Sequence, residues 1–92
     1  MKTERALALS ELFKSLGDPT RVRILNALGK QERAVGDLAD ELAVSQSALS
    51  HQLRILRSQR LVTFRKDGKH SFYRLLDDSV LDVMAAAEQL GG

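Results

Sequence analysis

The residues most suggestive of chemistry lie between positions 46 and 57: Gln46, Ser47, Ser50, His51, Arg54 and Arg57. Each donates or accepts hydrogen bonds or carries positive charge, and no acid interrupts the stretch from Gln46 to Ser58. Leu49, Leu53 and Leu56, with Ala48, Gln52 and Ile55 alongside, recur every three or four residues, so the stretch predicts a helix with an apolar inner side. Ser45 is a suitable N-cap for it. A helix fits the roughly 12 Å major groove of DNA, small Ser47 and Ser50 allow close approach, and Gln46, His51 and Arg54 can reach base edges. Arg65, Lys66 and Lys69 follow soon after, and cations along phosphates need no sequence-specific geometry.

Charge along the chain supports the same chemistry. The formal net charge is only +2, yet Gln46 to Arg74 holds seven basic residues against Asp67 alone, giving +6. The remaining residues hold seven basic and eleven acidic, giving −4. A basic segment on an otherwise acidic chain is the footprint of a surface that meets a polyanion.

The elements that position these residues can be read from period and punctuation. Leu9, Leu12, Phe13 and Leu16, with Ala6 a turn earlier, predict a first helix over Thr3 to Leu16. Gly17 stops it and Asp18-Pro19 starts a second, running to about Leu28, with Val22, Ile24, Leu25 and Leu28 inward and Gly29 as its stop. Ala34 to Leu42 predicts a short third helix with Val35, Leu38, Ala39 and Leu42 on one face, ahead of the polar fourth. The period then changes: LVTFRK, the Asp67-Gly68 turn signal and SFYRL predict a β-hairpin whose tip, Arg65 to His70, is basic. Asp77 and Asp78 precede a last helix, Ser79 to Leu90, with Val80, Val83, Met84, Ala87 and Leu90 along one side. Leu81, Ala85 and Ala86 add a second apolar side, more than one intramolecular contact buries. The expectation is one domain over residues 1–92, mainly α with a small β-hairpin, about five helices, dimeric through the first and last.

Whole classes of function drop out. There is no cysteine, which removes disulfides, thiolate metal sites and thiol nucleophiles. No apolar run reaches the roughly 18 residues that span a bilayer, and Glu4, Glu11 and Lys14 interrupt the first segment, so a cytoplasmic location is expected. No Gly-rich phosphate loop or ordered nucleophile–base–acid set occurs, and Asp77-Asp78 are adjacent rather than opposed; no enzyme and no cofactor are expected.

Helix, tight turn, basic helix, then a hairpin with a cationic tip is the order of a winged helix-turn-helix. LGDPTRVRIL, then VGDLADELAVSQSALSHQLRILRSQRLVTFRKDGKHSFYRL, resembles the ArsR/SmtB family of small bacterial winged-helix repressors, from about Leu12 to about Val80. The resemblance implies a homodimeric repressor of double-stranded operator DNA, joined through its end helices and released by an inducer. By position it puts DNA contacts on Gln46, Ser47, Ser50 and His51, with wing contacts on or near Arg65, Lys66 and Lys69; the residue chemistry adds Arg54. The apolar end helices suggest Leu9, Leu12, Val80, Met84, Ala87 and Leu90 for the dimer seam.

The family's metal sites do not carry over. Where many relatives read Glu-Leu-Cys-Val-Cys-Asp-Leu, this chain reads Glu32 to Leu38 as ERAVGDL, without either thiol. Of the ligand positions on the last helix, Asp77 matches, but Ser79 and Leu90 stand at the histidine positions. One ligand is not a zinc site, so no metal is expected. Two other readings stay open: a winged-helix module that binds protein, and a repressor with an atypical oxygen or histidine metal site. The inducer is left unassigned.

Overall fold

The structure, a computed structural model, describes residues 1–91. In chain order it comprises α1 (Thr3–Leu16), α2 (Pro19–Leu28), β1 (Arg33–Ala34), α3 (Val35–Leu42), α4 (Gln46–Ser58), β2 (Val62–Asp67), β3 (His70–Leu75) and α5 (Ser79–Gly91). Local chemistry accounts for most boundaries. Asp18 accepts the Arg21 amide at 3.0 Å and Pro19 occupies the first turn, so α2 begins with a capped, pre-set backbone. Ser45 does the same for α4 by accepting the Ala48 amide at 3.0 Å.

The core is drawn from α2, α3, α4, β2, β3 and the start of α5, with Leu16 of α1 packed against it. Ile24, Leu25 and Leu28 of α2 meet Leu38, Ala39 and Leu42 of α3 and Leu49, Leu53 and Leu56 of α4, closed by Val62, Tyr73, Leu75 and Val80. The three α4 leucines are at most 1% exposed, which fixes the rotation of that helix about its own axis. From α1 only Ser15 is buried, and its hydroxyl donates to Gln59 Oε1 at the C-cap of α4.

Two features depart from the sequence expectation. The hairpin is part of a three-stranded antiparallel sheet, order β1-β3-β2, in which Arg33 and Ala34 pair with Tyr73 and Phe72. Ala34 therefore lies in extended backbone (φ −68°, ψ 142°) and α3 begins one residue later than expected. A two-residue strand is too short to show period-2 alternation. Val80, expected at a subunit seam, is 6% exposed and belongs to the monomer's own core, because the start of α5 folds back onto it. In the single chain Val80 is thus a core residue, and Met84 is half-buried against the same cluster.

The wing turns tightly. Asp67 pairs with His70, leaving Gly68 and Lys69 as a two-residue loop. Gly68 has φ 62°, while Lys69 is not among the positive-φ residues, so the turn needs glycine only at its first central position.

Candidate nucleic-acid interface

Sealing Leu49, Leu53 and Leu56 into the core leaves the opposite side of α4 to solvent. Gln46, Ser47, His51, Arg54 and Arg57 are exposed and Ser50 is half-buried. At ~1.5 Å rise per residue the 13-residue helix offers a rod about 20 Å long, enough to lie along a major groove with its first turns at the base edges. Arg21 Nε donates to Gln52 Oε1 at 3.2 Å, and Arg23 Nη2 donates to the Leu42 carbonyl at 3.3 Å. These bonds brace α2 against α4 and the end of α3.

The helix start and the wing tip flank one cleft. Val35, Gly36, Gln46, Ser50, Lys69, His70 and Ser71 enclose about 400 Å³, so the expected base readers Gln46 and Ser50 stand across from the wing cation Lys69. Gly36 belongs to this juncture: a Cβ there would sit 3.6 Å from Gln46 Nε2. The sequence reading missed His70 and Ser71 as neighbours of the helix, although the wing tip's position one strand after α4 was the available signal.

The wing cations are not equivalent. Successive strand residues face opposite sides of a sheet. Phe64 stacks on Tyr73 with ring centroids 5.2 Å apart, and the Arg57 guanidinium lies 4.7 Å from the Phe64 centroid, so this face looks toward α4. Lys66, two residues on and paired with Ser71, shares that face. Arg65 takes the other: its Nε and Nη2 reach Glu32 at 2.8–3.1 Å, its guanidinium lies 4.7 Å from the Phe72 centroid, and Asp67 is 3.9 Å away. Arg65 thereby holds the Glu32 carboxyl below the usual range. Among the described residues, Lys66 and Lys69 form no ion pair.

The positions where the resemblance would put thiol ligands hold Ala34, a strand residue, and Gly36, at the cleft. Neither bears a ligand atom. Asp77 Oδ1 accepts the Ser79 amide at 2.9 Å, and that bond holds its carboxyl low at the start of α5. Among the described residues no group of three or more His, Cys, Asp or Glu is placed to hold a metal ion.

Comparison with known proteins decides the family. Residues 18–63, from the α2 N-cap through the start of the wing, match the family of bacterial regulatory proteins described as the arsR family. The chain belongs to the ArsR family. A transcriptional repressor SmtB homolog from Synechocystis is 48% identical over 83 residues; the match takes in 90% of this ArsR-type chain but only 63% of that protein's length. The crystal structure of NolR from Sinorhizobium fredii superposes with a TM-score of 0.83 at 35% identity, covering 98% of this chain and 93% of NolR. The solution structure of a homodimeric winged helix-turn-helix DNA-binding domain from Mycobacterium bovis superposes with a TM-score of 0.82 at 26% identity, covering 99% and 87%. The fold of this ArsR-family chain is thus the winged helix-turn-helix, with α3 and α4 as the two helices and β2–β3 as the wing. No described helix is long and apolar enough to cross a membrane.

Proposed function

We propose that this ArsR-family regulator represses transcription by binding operator DNA as a homodimer. The observation that carries the reading is the acid-free polar face of α4, fixed outward by three buried leucines and set beside a wing that brings Lys69 to the same cleft. Gln46, Ser47, Ser50, His51 and Arg54 read base edges in the major groove, and Lys66 and Lys69 lie along phosphates.

A second copy covers the end helices. Leu9, Leu12 and Phe13 of α1 and Ala87 and Leu90 of α5 are exposed or half-buried in the monomer, with Phe13 57% and Leu90 91% exposed. The Mycobacterium bovis neighbour, which superposes along nearly the whole chain, is a homodimer. A two-fold axis through this seam sets two α4 helices toward the same side of a duplex, so the operator is an imperfect palindrome.

Mobility shift on duplexes selected from a random library tests the reading. The expected result is a shifted, saturable complex on palindromic duplexes that weakens steeply as salt rises. Equal retention of a protein partner with no shift on any duplex would favour a protein-binding module instead.

A further inference from the structure

Glu32 lies in the segment between α2 and β1, on the edge-strand side of the sheet, whereas Arg65 lies on β2 at the opposite edge. The two meet across β3. The guanidinium reaches over the Phe72 ring to take both Glu32 oxygens, so one side-chain bridge spans all three strands on the sheet face away from α4. We propose that Glu32 is a positioning residue for the wing, clasping Arg65 over Phe72 and withholding it from DNA, so that phosphate contact falls to Lys66 and Lys69.

This inference rests on the DNA-binding reading of the same site and refines which residues perform it. Three observations support it independently. Strand alternation aims Arg65 at the face opposite Lys66 and the α4 helix. Its Nε and Nη2 are already engaged in a two-oxygen, fork-like pairing, the geometry in which arginine binds carboxylates and phosphates alike. Asp67 lies 3.9 Å off, so two carboxylates lie beside the guanidinium, while Arg74 lines the same pocket and also acts on Glu32. A phosphate approaching Arg65 would meet the Glu32 and Asp67 carboxylates beside it. Lys66 and Lys69 carry no such screen among the described residues.

An isolated exposed ion pair is a weak stabiliser, so the effect to look for is on DNA rather than on folding. The probe is a fluorescein-labelled random-sequence duplex, with anisotropy titrations between 50 and 200 mM salt. Each phosphate contact contributes about 0.9 to the slope of log affinity against log salt, which is about a 3.5-fold change over that fourfold range. Lys66→Ala should lower the slope by about this amount per engaged wing, and Arg65→Ala should leave it unchanged. Glu32→Gln frees Arg65 and should steepen the slope by a similar amount, and the Glu32→Gln/Arg65→Ala double variant should return it to the wild-type value. Far-UV circular dichroism checks that each variant is folded.

A drop for Arg65→Ala equal to that for Lys66→Ala would overturn the clasp while leaving the DNA reading intact. So would a double variant as steep as Glu32→Gln alone, because the gain would then come from the lost negative charge and not from Arg65. Absence of any salt-dependent binding by the wild-type protein would instead overturn the DNA reading itself, and the clasp's role in it.

Discussion

At the scale of single residues, the surface divides into side chains that can tell one base from another and side chains that can only sense charge. His51 and Ser50 are on the outward side of α4, and loss of a base-edge hydrogen bond typically costs about 1 to 3 kcal/mol of discrimination. His51→Ala should therefore weaken binding to a selected palindrome about tenfold or more while changing random-duplex binding little. Lys66→Ala should weaken both by the same factor. Competition titrations with the two duplexes check this, and equal losses from His51→Ala on both would remove the helix from the bases. The acidic side chains have a separate signature. Glu32 is held low first by its hydrogen bonds from Arg65 and Asp77 by its bond from the Ser79 amide, so both are more easily ionised folded than unfolded. Their contribution to stability is then fully present above the ordinary carboxylate range of about 4 and is lost as pH falls through the lower folded values. Because the pair is exposed and solvent-screened, thermal melts from pH 6 to pH 3 should show only a slightly smaller acid loss for Glu32→Gln than for the wild type.

At the scale of elements, most helix bounds were legible, but not all of them through local chemistry. Asp18-Pro19 and Ser45 announce α2 and α4 through chemistry that the structure shows as capping hydrogen bonds of 3.0 Å. The ends of α3 and α4 carry no such announcement. Both ends turn through left-handed residues, Ala43 at φ 56° and Arg60 at φ 60°, where a glycine or asparagine would have given the signal. Left-handed backbone costs an L-residue roughly 1 to 2 kcal/mol, while glycine's extra unfolded entropy offsets roughly 0.5 to 1. Ala43→Gly should therefore stabilise the fold by about 0.5 to 1 kcal/mol, measured by urea unfolding, and a loss of stability there would show that the turn of the helix-turn-helix is held differently. Strand β1 was illegible for another reason: its two residues acquire strand character only from pairing with Tyr73 and Phe72, a tertiary contact. The uneven duties of the wing cations were half-legible. Alternation alone separates Arg65 from Lys66, but the partner that engages Arg65 is Glu32, 33 residues earlier, which no local pattern reveals.

At the scale of the whole molecule, the chain is more extended than a compact domain of its length, as the proposed dimer would require. A compact domain of this length has a radius of gyration of about 12 Å, from the usual size scaling. This chain measures 13.7 Å and extends 45 Å along its longest axis, because α1 and most of α5 lie outside the core that α2, α3, α4 and the sheet enclose. Phe13→Asp should split the dimer without unfolding the monomer, since Phe13 is 57% exposed and contributes nothing to the core. Met84→Asp is the poorer probe, because Met84 packs against the core and its loss would destabilise the monomer too. Sedimentation of Phe13→Asp at micromolar concentration should give a folded monomer; a wild type that is itself monomeric there would remove the two-fold arrangement. Regulation follows from the same scale. A ligand shifts an equilibrium only by its differential affinity for two states, and the positions where the resemblance would put thiol ligands hold Ala34 and Gly36. Zinc, nickel, cobalt and arsenite at micromolar levels should leave operator affinity within about threefold, a coupling under roughly 0.7 kcal/mol.

The central claim is that two outward α4 faces, related by a two-fold axis, read one side of a duplex. Hydroxyl-radical footprinting on a duplex selected from a random library measures this directly. The account predicts two protected half-sites about 34 Å apart, or a whole multiple of that helical repeat, and loss of protection at both in Phe13→Asp. A single unpaired footprint, or no saturable protection at low salt, would contradict it.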